Sequence, residues 1–194
     1  LIVAFIHQGP FFAVASCLHG FDRPLVVVTA PWLLERPRRG YWGRRVARWC
    51  RGVAQAGARV IPTGGNAFTT IRALLERGGT VAIAVDMPGR RETHFLGKRA
   101  MLARGTAVLA HQTGALVLPV RARRSGREIY ADFAAALDPL DFADDETLHR
   151  ELFAQHEQWI LEQPEALESP RRTGAWEDGA TADGWRRPTS RNMQ

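Results

Sequence analysis

Three short runs, Leu1–Ile6 (LIVAFI), Leu25–Thr29 (LVVVT) and Thr80–Val85 (TVAIAV), are almost wholly apolar and rich in β-branched residues. Their length suits strands, and the lack of polar alternation implies burial on both faces. The segments between them carry helical periodicity and helix punctuation. Pro10 suits the first turn of a helix running to about His19, with Gly20 stopping it. Asn66 can cap a helix through Arg77, with Phe68, Ile71, Leu74 and Leu75 on one face and Gly78-Gly79 ending it. Tyr41–Gln55 reads as an arginine-rich helix and Ala58–Ile61 as a short strand. Arg99–Thr113 reads as a helix, Ala115–Arg121 and Glu128–Phe133 as strands. A last amphipathic helix follows Asp144 and turns Leu148, Leu152, Trp159 and Ile160 inward. Alternating helices and fully apolar strands specify an α/β chain: a mixed, mostly parallel sheet flanked by helices.

The 194 residues suffice for one core. That core is expected over residues 1–170, followed by a polar tail over 171–194 that lacks periodicity and is expected to be disordered. Two cysteines, Cys17 and Cys50, argue against a disulfide framework or a cysteine-rich zinc site. No apolar run reaches the roughly 18–20 residues that cross a bilayer, and no signal-peptide pattern is present. The sequence starts in mid-strand at Leu1 without an initiator methionine, as expected of a fragment. A net charge of +6 is carried almost wholly by arginine, since Lys98 is the single lysine. Such a chain favours anionic partners: nucleic acid, a membrane surface or an acidic carrier protein.

Two residues stand where open α/β sheets place their ligands, at the carboxyl ends of buried strands. His7 follows the first run and Asp86 follows TVAIAV. A histidine there can act as general base, with a carboxylate orienting it. The plainer alternatives are a loop histidine and, for Asp86, a turn starter before Met87-Pro88-Gly89. Gly64-Gly65 and Gly78-Gly79 match neither GxGxxG nor GxxxxGK[ST], which argues against a nucleotide site. Paired metal-ligand spacing is absent, as is a nucleophile elbow around Ser16 or Cys17. Between Trp32 and Arg51 seven arginines interleave with Trp32, Tyr41, Trp42 and Trp49, and Trp42, Val46, Trp49 and Val53 share a helical stripe. That composition fits a lipid headgroup interface, a nucleic-acid surface or a solvated face around a buried aromatic stripe. A second basic cluster, Arg90-Arg91, Lys98-Arg99 and Arg104, follows Asp86 and would favour an anionic substrate.

Five blocks taken in order, Ile61-Pro62, VAIAVD (81–86), HFLGKRA (94–100), ARGTAVLAHQTGALVLPV (103–120) and QWILEQPE (158–165), resemble the bacterial lipid A biosynthesis acyltransferase family. The resemblance spans about Leu1 to Trp176. It implies a glycerolipid-acyltransferase-like fold. The implied activity is transfer of a fatty acyl chain from an acyl carrier protein or coenzyme A thioester to a hydroxyl of a membrane lipid or glycolipid, such as a lipid A precursor. It implies His7 as general base, Phe95-Leu96-Gly97 as a Phe-Phe-Gly-like turn, and Pro119 as the proline ending a strand. Substrate contacts are then expected from Gly9, Arg90, Arg91, Phe95, Gly97 and Lys98, with the oxyanion donors being either backbone N–H groups around Gly9 or arginines. No metal, covalent intermediate or cofactor is expected, nor a nucleic-acid partner. Location at the cytoplasmic face of the bacterial inner membrane, with an anchor helix upstream, is implied as well. One position departs from the family pattern: five residues after His7 the family carries Asp or Glu, and this chain carries Phe12. Asp86 first, then Glu92 or Glu35, could supply the missing carboxylate. Otherwise the chain is a degenerate acyltransferase that binds a lipid or partner, acts on an unusual acceptor, or is a basic nucleic-acid-binding module.

Overall fold

A computed structural model describes residues 1–14, 25–31, 40–55 and 57–167. Six strands form one sheet: β1 (Ile2–Phe5), β2 (Leu25–Thr29), β3 (Arg59–Pro62), β4 (Thr80–Ala84), β7 (Val117–Ser125) and β8 (Glu128–Phe133). Their spatial order is β3-β2-β4-β1-β7-β8, parallel throughout except for the antiparallel β8 at the edge. β1, wholly apolar, takes a central place with β4 on one side and β7 on the other. The mixed, mostly parallel sheet expected of the sequence is the one observed.

Side-chain alternation divides the core in two. Ile2, Ala4 and Ile6 join the cluster under three helices, α2 (Ala67–Glu76), α3 (Gly105–Thr113) and α4 (Asp145–Glu162), which bury Ile71, Leu109, Leu148, Leu152 and Phe153 there. Val3 and Phe5 join the opposite cluster, which takes Val53 and, at its margin, Trp49 from α1 (Gly40–Gln55), together with Val14 and Phe11. α4 begins where Asp144 accepts from the Thr147 backbone N–H at 2.8 Å while Thr147 Oγ1 accepts from the Asp144 N–H at 3.2 Å, a reciprocal cap.

Several local expectations differ. The segment after Asp86 is a β-hairpin, β5 (Pro88–Phe95) paired with β6 (Lys98–Leu102), and the helix expected from Arg99 starts at Gly105. Leu96 and Gly97 both have positive φ, 54° and 71°, the geometry a two-residue turn needs to match strand twist. Leucine is disfavoured there by roughly 1–2 kcal/mol. Its N–H donates to the Glu157 carboxylate of α4, which holds the turn in place. β7 runs on to Ser125, four residues past its expected end, because β8 pairs with it along its whole second half. Phe68, expected on the core face of α2, is 41% exposed. The helix expected at Pro10–His19 shows a 3-10 turn at Phe11–Ala13. Its remainder lies outside the described residues, as do 168–194 and therefore the tail.

Candidate active site

The parallel register builds the site. Phe5 of β1 lies opposite Ala84 of β4. Two residues further along each chain come His7 and Asp86, so the same register delivers both to one sheet edge. His7 Nδ1 lies 2.8 Å from Asp86 Oδ1, and the His7 backbone N–H donates to Asp86 Oδ2 at 3.2 Å. Both carboxylate oxygens therefore engage one residue. An ionised carboxylate only accepts, so this contact assigns the proton to Nδ1 and leaves the Nε2 lone pair for another partner. Asp86 has no solvent exposure, whereas the His7 side chain keeps 15%. A buried carboxylate beside a rim imidazole is a pair in which the base can gain a charge that the carboxylate steadies.

An aromatic wall completes the histidine's surroundings. Phe11 meets the imidazole edge-on with ring centres 4.6 Å apart, and Phe5 stacks on Phe11 at 6.2 Å. Behind the pair, α4 contributes His156, which is fully buried. Burial pushes its pKa down to about 4, against the opposing pull of the Asp86 charge and the Ala4 carbonyl. His156 is thus neutral at neutral pH.

The other site expectations distribute differently. Gly9 has φ +57°, and a β-carbon on it would stand 2.3 Å from the Ala122 carbonyl oxygen, so the position demands glycine. Its own N–H donates to the Ala166 carbonyl at 2.6 Å. Phe95, expected at the substrate, is a core residue, 2% exposed and edge-on to Phe153 at 4.9 Å. Arg90, Arg91, Gly97 and Lys98 are exposed on the hairpin. Glu92 is engaged with Arg99 on the hairpin surface, and Glu35 lies outside the described residues. The Phe12 side chain also lies outside them.

Several residues not singled out from the sequence line a cleft next to the loop that follows His7. The cleft, of about 370 Å³, is lined by Gly9, Pro10, Arg123, Arg124, Gln163 and Glu165 among others. Arg123 pairs with Asp132 at 2.7 Å and lies over the Tyr130 ring at 4.8 Å. Arg124 is exposed. The signal that could have found them is the Arg-x-Arg-Arg run that prolongs β7 past the end of β1. On α1, Arg44, Arg48 and Arg51 are exposed along one face, while Val53 is buried and Trp49 half-buried on the opposite side. The Trp42 side chain lies outside the described residues. Among those residues, no helix is long and apolar enough to cross a membrane.

These features have counterparts among known proteins. The 1-acyl-sn-glycerophosphate (LPA) acyltransferase PlsC from Thermotoga maritima has a crystal structure similar to this one, with a TM-score of 0.51 and 18% identity over 87% of this chain and 68% of that one. At that identity the likeness is one of fold. No curated protein sequence matches significantly. The profile of the family described as bacterial lipid A biosynthesis acyltransferase matches residues 46–167, a stretch that takes in Asp86, the hairpin, β7 and α4 and begins after His7. That match covers well over half of the sequence, and the fold around it is an acyltransferase fold: the chain belongs to the bacterial lipid A biosynthesis acyltransferase family, whose chemistry is acyl transfer in lipid synthesis.

Proposed function

We propose that this chain transfers a fatty acyl group from a thioester, carried by acyl carrier protein or coenzyme A, to a hydroxyl of a membrane lipid or glycolipid such as a lipid A precursor. His7 Nε2 takes the hydroxyl proton as the oxygen attacks the thioester carbonyl carbon. The tetrahedral oxyanion then collapses, the C–S bond breaks, and the leaving thiolate takes the proton back from the imidazolium. Asp86 holds the Nδ1–H tautomer and steadies the imidazolium between the two transfers. The observation that carries this reading is the two-point contact of the buried Asp86 carboxylate with His7. It also accounts for Phe12, since Asp86 supplies the carboxylate that the family pattern places five residues after the histidine. With the Gly9 N–H committed to Ala166, arginine side chains are the alternative oxyanion donors.

The place of action we assign is the cytoplasmic face of the bacterial inner membrane. The exposed arginines of α1 favour it, because α1 packs on the sheet face that also carries Phe5 and Phe11, the aromatic neighbours of His7. Guanidinium groups on that side would draw an anionic lipid surface towards the base. The test is acyl transfer from acyl carrier protein and coenzyme A thioesters to lipid extracts. His7→Ala should lower turnover by roughly two to four orders of magnitude. Undiminished activity in that variant would remove His7 from the mechanism.

A further inference from the structure

Asp86 fixes His7 from one side only; the residues that follow the histidine are fixed from the other end of the chain. Gln8 is 2% exposed, and its side-chain Nε2 donates to the carbonyls of Trp159 at 3.0 Å and Gln163 at 3.2 Å. The Gln163 carbonyl, just past α4, also accepts the Ala166 N–H at 3.1 Å, and the Trp159 carbonyl stands in the last turn of α4, where a helix leaves acceptors without intrahelical donors. Trp159 shows why. The N–H of Gln163, which would ordinarily serve the Trp159 carbonyl, turns to Ile160 instead at 3.2 Å. Gln8 supplies the replacement. Its backbone forms an isolated antiparallel bridge with Leu167, and the next N–H, from Gly9, reaches Ala166.

The anchor itself is braced. Arg121 of β7 donates to Glu162 at 2.7 Å and to Asp132 at 3.0 Å, and its guanidinium lies 5.4 Å from the Trp159 ring centre. The end of α4 is thereby tied to the sheet beside the histidine. The Gln8 amide bears a cost as well, since its Oε1 is buried without a hydrogen-bond partner among the described residues. A buried amide with one atom unsatisfied is a poor device for stability alone.

We propose that Gln8 is a positioning residue for His7: its side-chain amide clamps the loop after β1 onto the carboxyl end of α4, so that the imidazole keeps its Nδ1–H contact with Asp86 and presents Nε2 to the acceptor hydroxyl. The proposal rests on the reading of His7 as general base. A base must be held within a narrow range of its productive geometry, and small displacements cost rate rather than affinity. The clamp does this through backbone carbonyls, which no side-chain substitution in α4 would remove.

The test compares Gln8→Met, which keeps the volume and removes the donor, with Gln8→Asn, which keeps the amide on a shorter stem. Asp86→Asn serves as reference. The first readout needs no substrate: imidazole nitrogen NMR of His7, assigned by its loss in His7→Ala, reports which ring nitrogen carries the proton. Wild type is expected to show the Nδ1–H tautomer alone, Gln8→Met a mixture, and Gln8→Asn an intermediate position. The second readout is kinetic. In Gln8→Met, kcat should fall roughly 10- to 100-fold with KM for the thioester within about threefold of wild type. Its Tm should stay within about 5 °C, since the apolar side chain also removes the unsatisfied oxygen. Should Gln8→Met fail to fold, Gln8→Asn carries both readouts. A wild-type tautomer and wild-type kcat in a folded Gln8 variant would overturn the clamp. Full activity in His7→Ala would instead overturn the general-base reading, and the NMR comparison would still decide whether Gln8 orients the ring.

Discussion

Asp86→Asn isolates the charge of the buried carboxylate while keeping its shape. In the native pair, Oδ1 meets the imidazole Nδ1 at 2.8 Å and Oδ2 accepts the His7 backbone N–H at 3.2 Å. An asparagine oxygen can keep one of these contacts, and its amide NH₂ would then oppose whichever donor faces it. Two losses follow. The first is electrostatic: unit charges about 4 Å apart at an effective dielectric of about 20 attract by about 4 kcal/mol, support the imidazolium would no longer have. The second is tautomeric, because an NH₂ facing Nδ1 favours the ring form with its proton on Nε2, which cannot act as base. The electrostatic part alone corresponds to about three orders of magnitude in rate. Steady-state kinetics with a saturating thioester should therefore show kcat lowered about 10³-fold and KM little changed. Far-ultraviolet circular dichroism and a thermal melt would confirm that the variant is folded. With Asp86 intact, Phe12→Glu should alter kcat by less than about tenfold, since the carboxylate function is already filled. The argument fails if Asp86→Asn keeps kcat within about threefold of wild type. It fails equally if only Phe12→Glu is active and the native chain is silent.

Two further outcomes are expected. His149 and His156 are both pushed down to about 4, in each case chiefly by burial, with the Arg104 charge adding to the effect at His149. Since an unfolded histidine takes its proton near 6.5, stability is fully present above that pH. It falls as the pH drops towards 4, by up to about 3 kcal/mol per histidine. Urea midpoints at pH 7.5 and 4.5 should differ accordingly, His156→Leu should shrink the difference, and equal midpoints would contradict the neutral buried state. Replacing Arg44, Arg48 and Arg51 together by alanine removes about 1 kcal/mol of attraction per side chain at an anionic surface. Binding to phosphatidylglycerol-containing liposomes should weaken roughly 100-fold in low salt. Unchanged binding, or equal binding to neutral liposomes, would leave α1 a structural helix.

The fold class was legible because apolar periodicity is a local property. LIVAFI, LVVVT and TVAIAV can only be buried on both faces, and a sheet with covered faces follows. The placement of His7 and Asp86 at strand ends was legible for the same reason, and so was the Asp144 start of α4. What the residues could not reveal depends on register and on distant partners. That His7 and Asp86 touch follows from β1 lying beside β4 with Phe5 opposite Ala84, a pairing of segments nearly eighty residues apart that no local pattern encodes. The hairpin after Asp86 was obscured because Arg90, Arg91 and Glu92 are exposed while its apolar anchors, Phe95 and Leu102, gain their meaning only against α4 and the rest of the core. Phe95 looked like a substrate contact within a turn motif and is a core residue, packed edge-on against Phe153 of α4. Gly9 looked like a source of oxyanion donors, yet its N–H already has an acceptor in a segment more than 150 residues away. Local chemistry in the sequence chose which residues could act. Long-range packing decided which of them meet, because hydrogen-bond partners and burial are properties of the assembled chain rather than of any stretch of it.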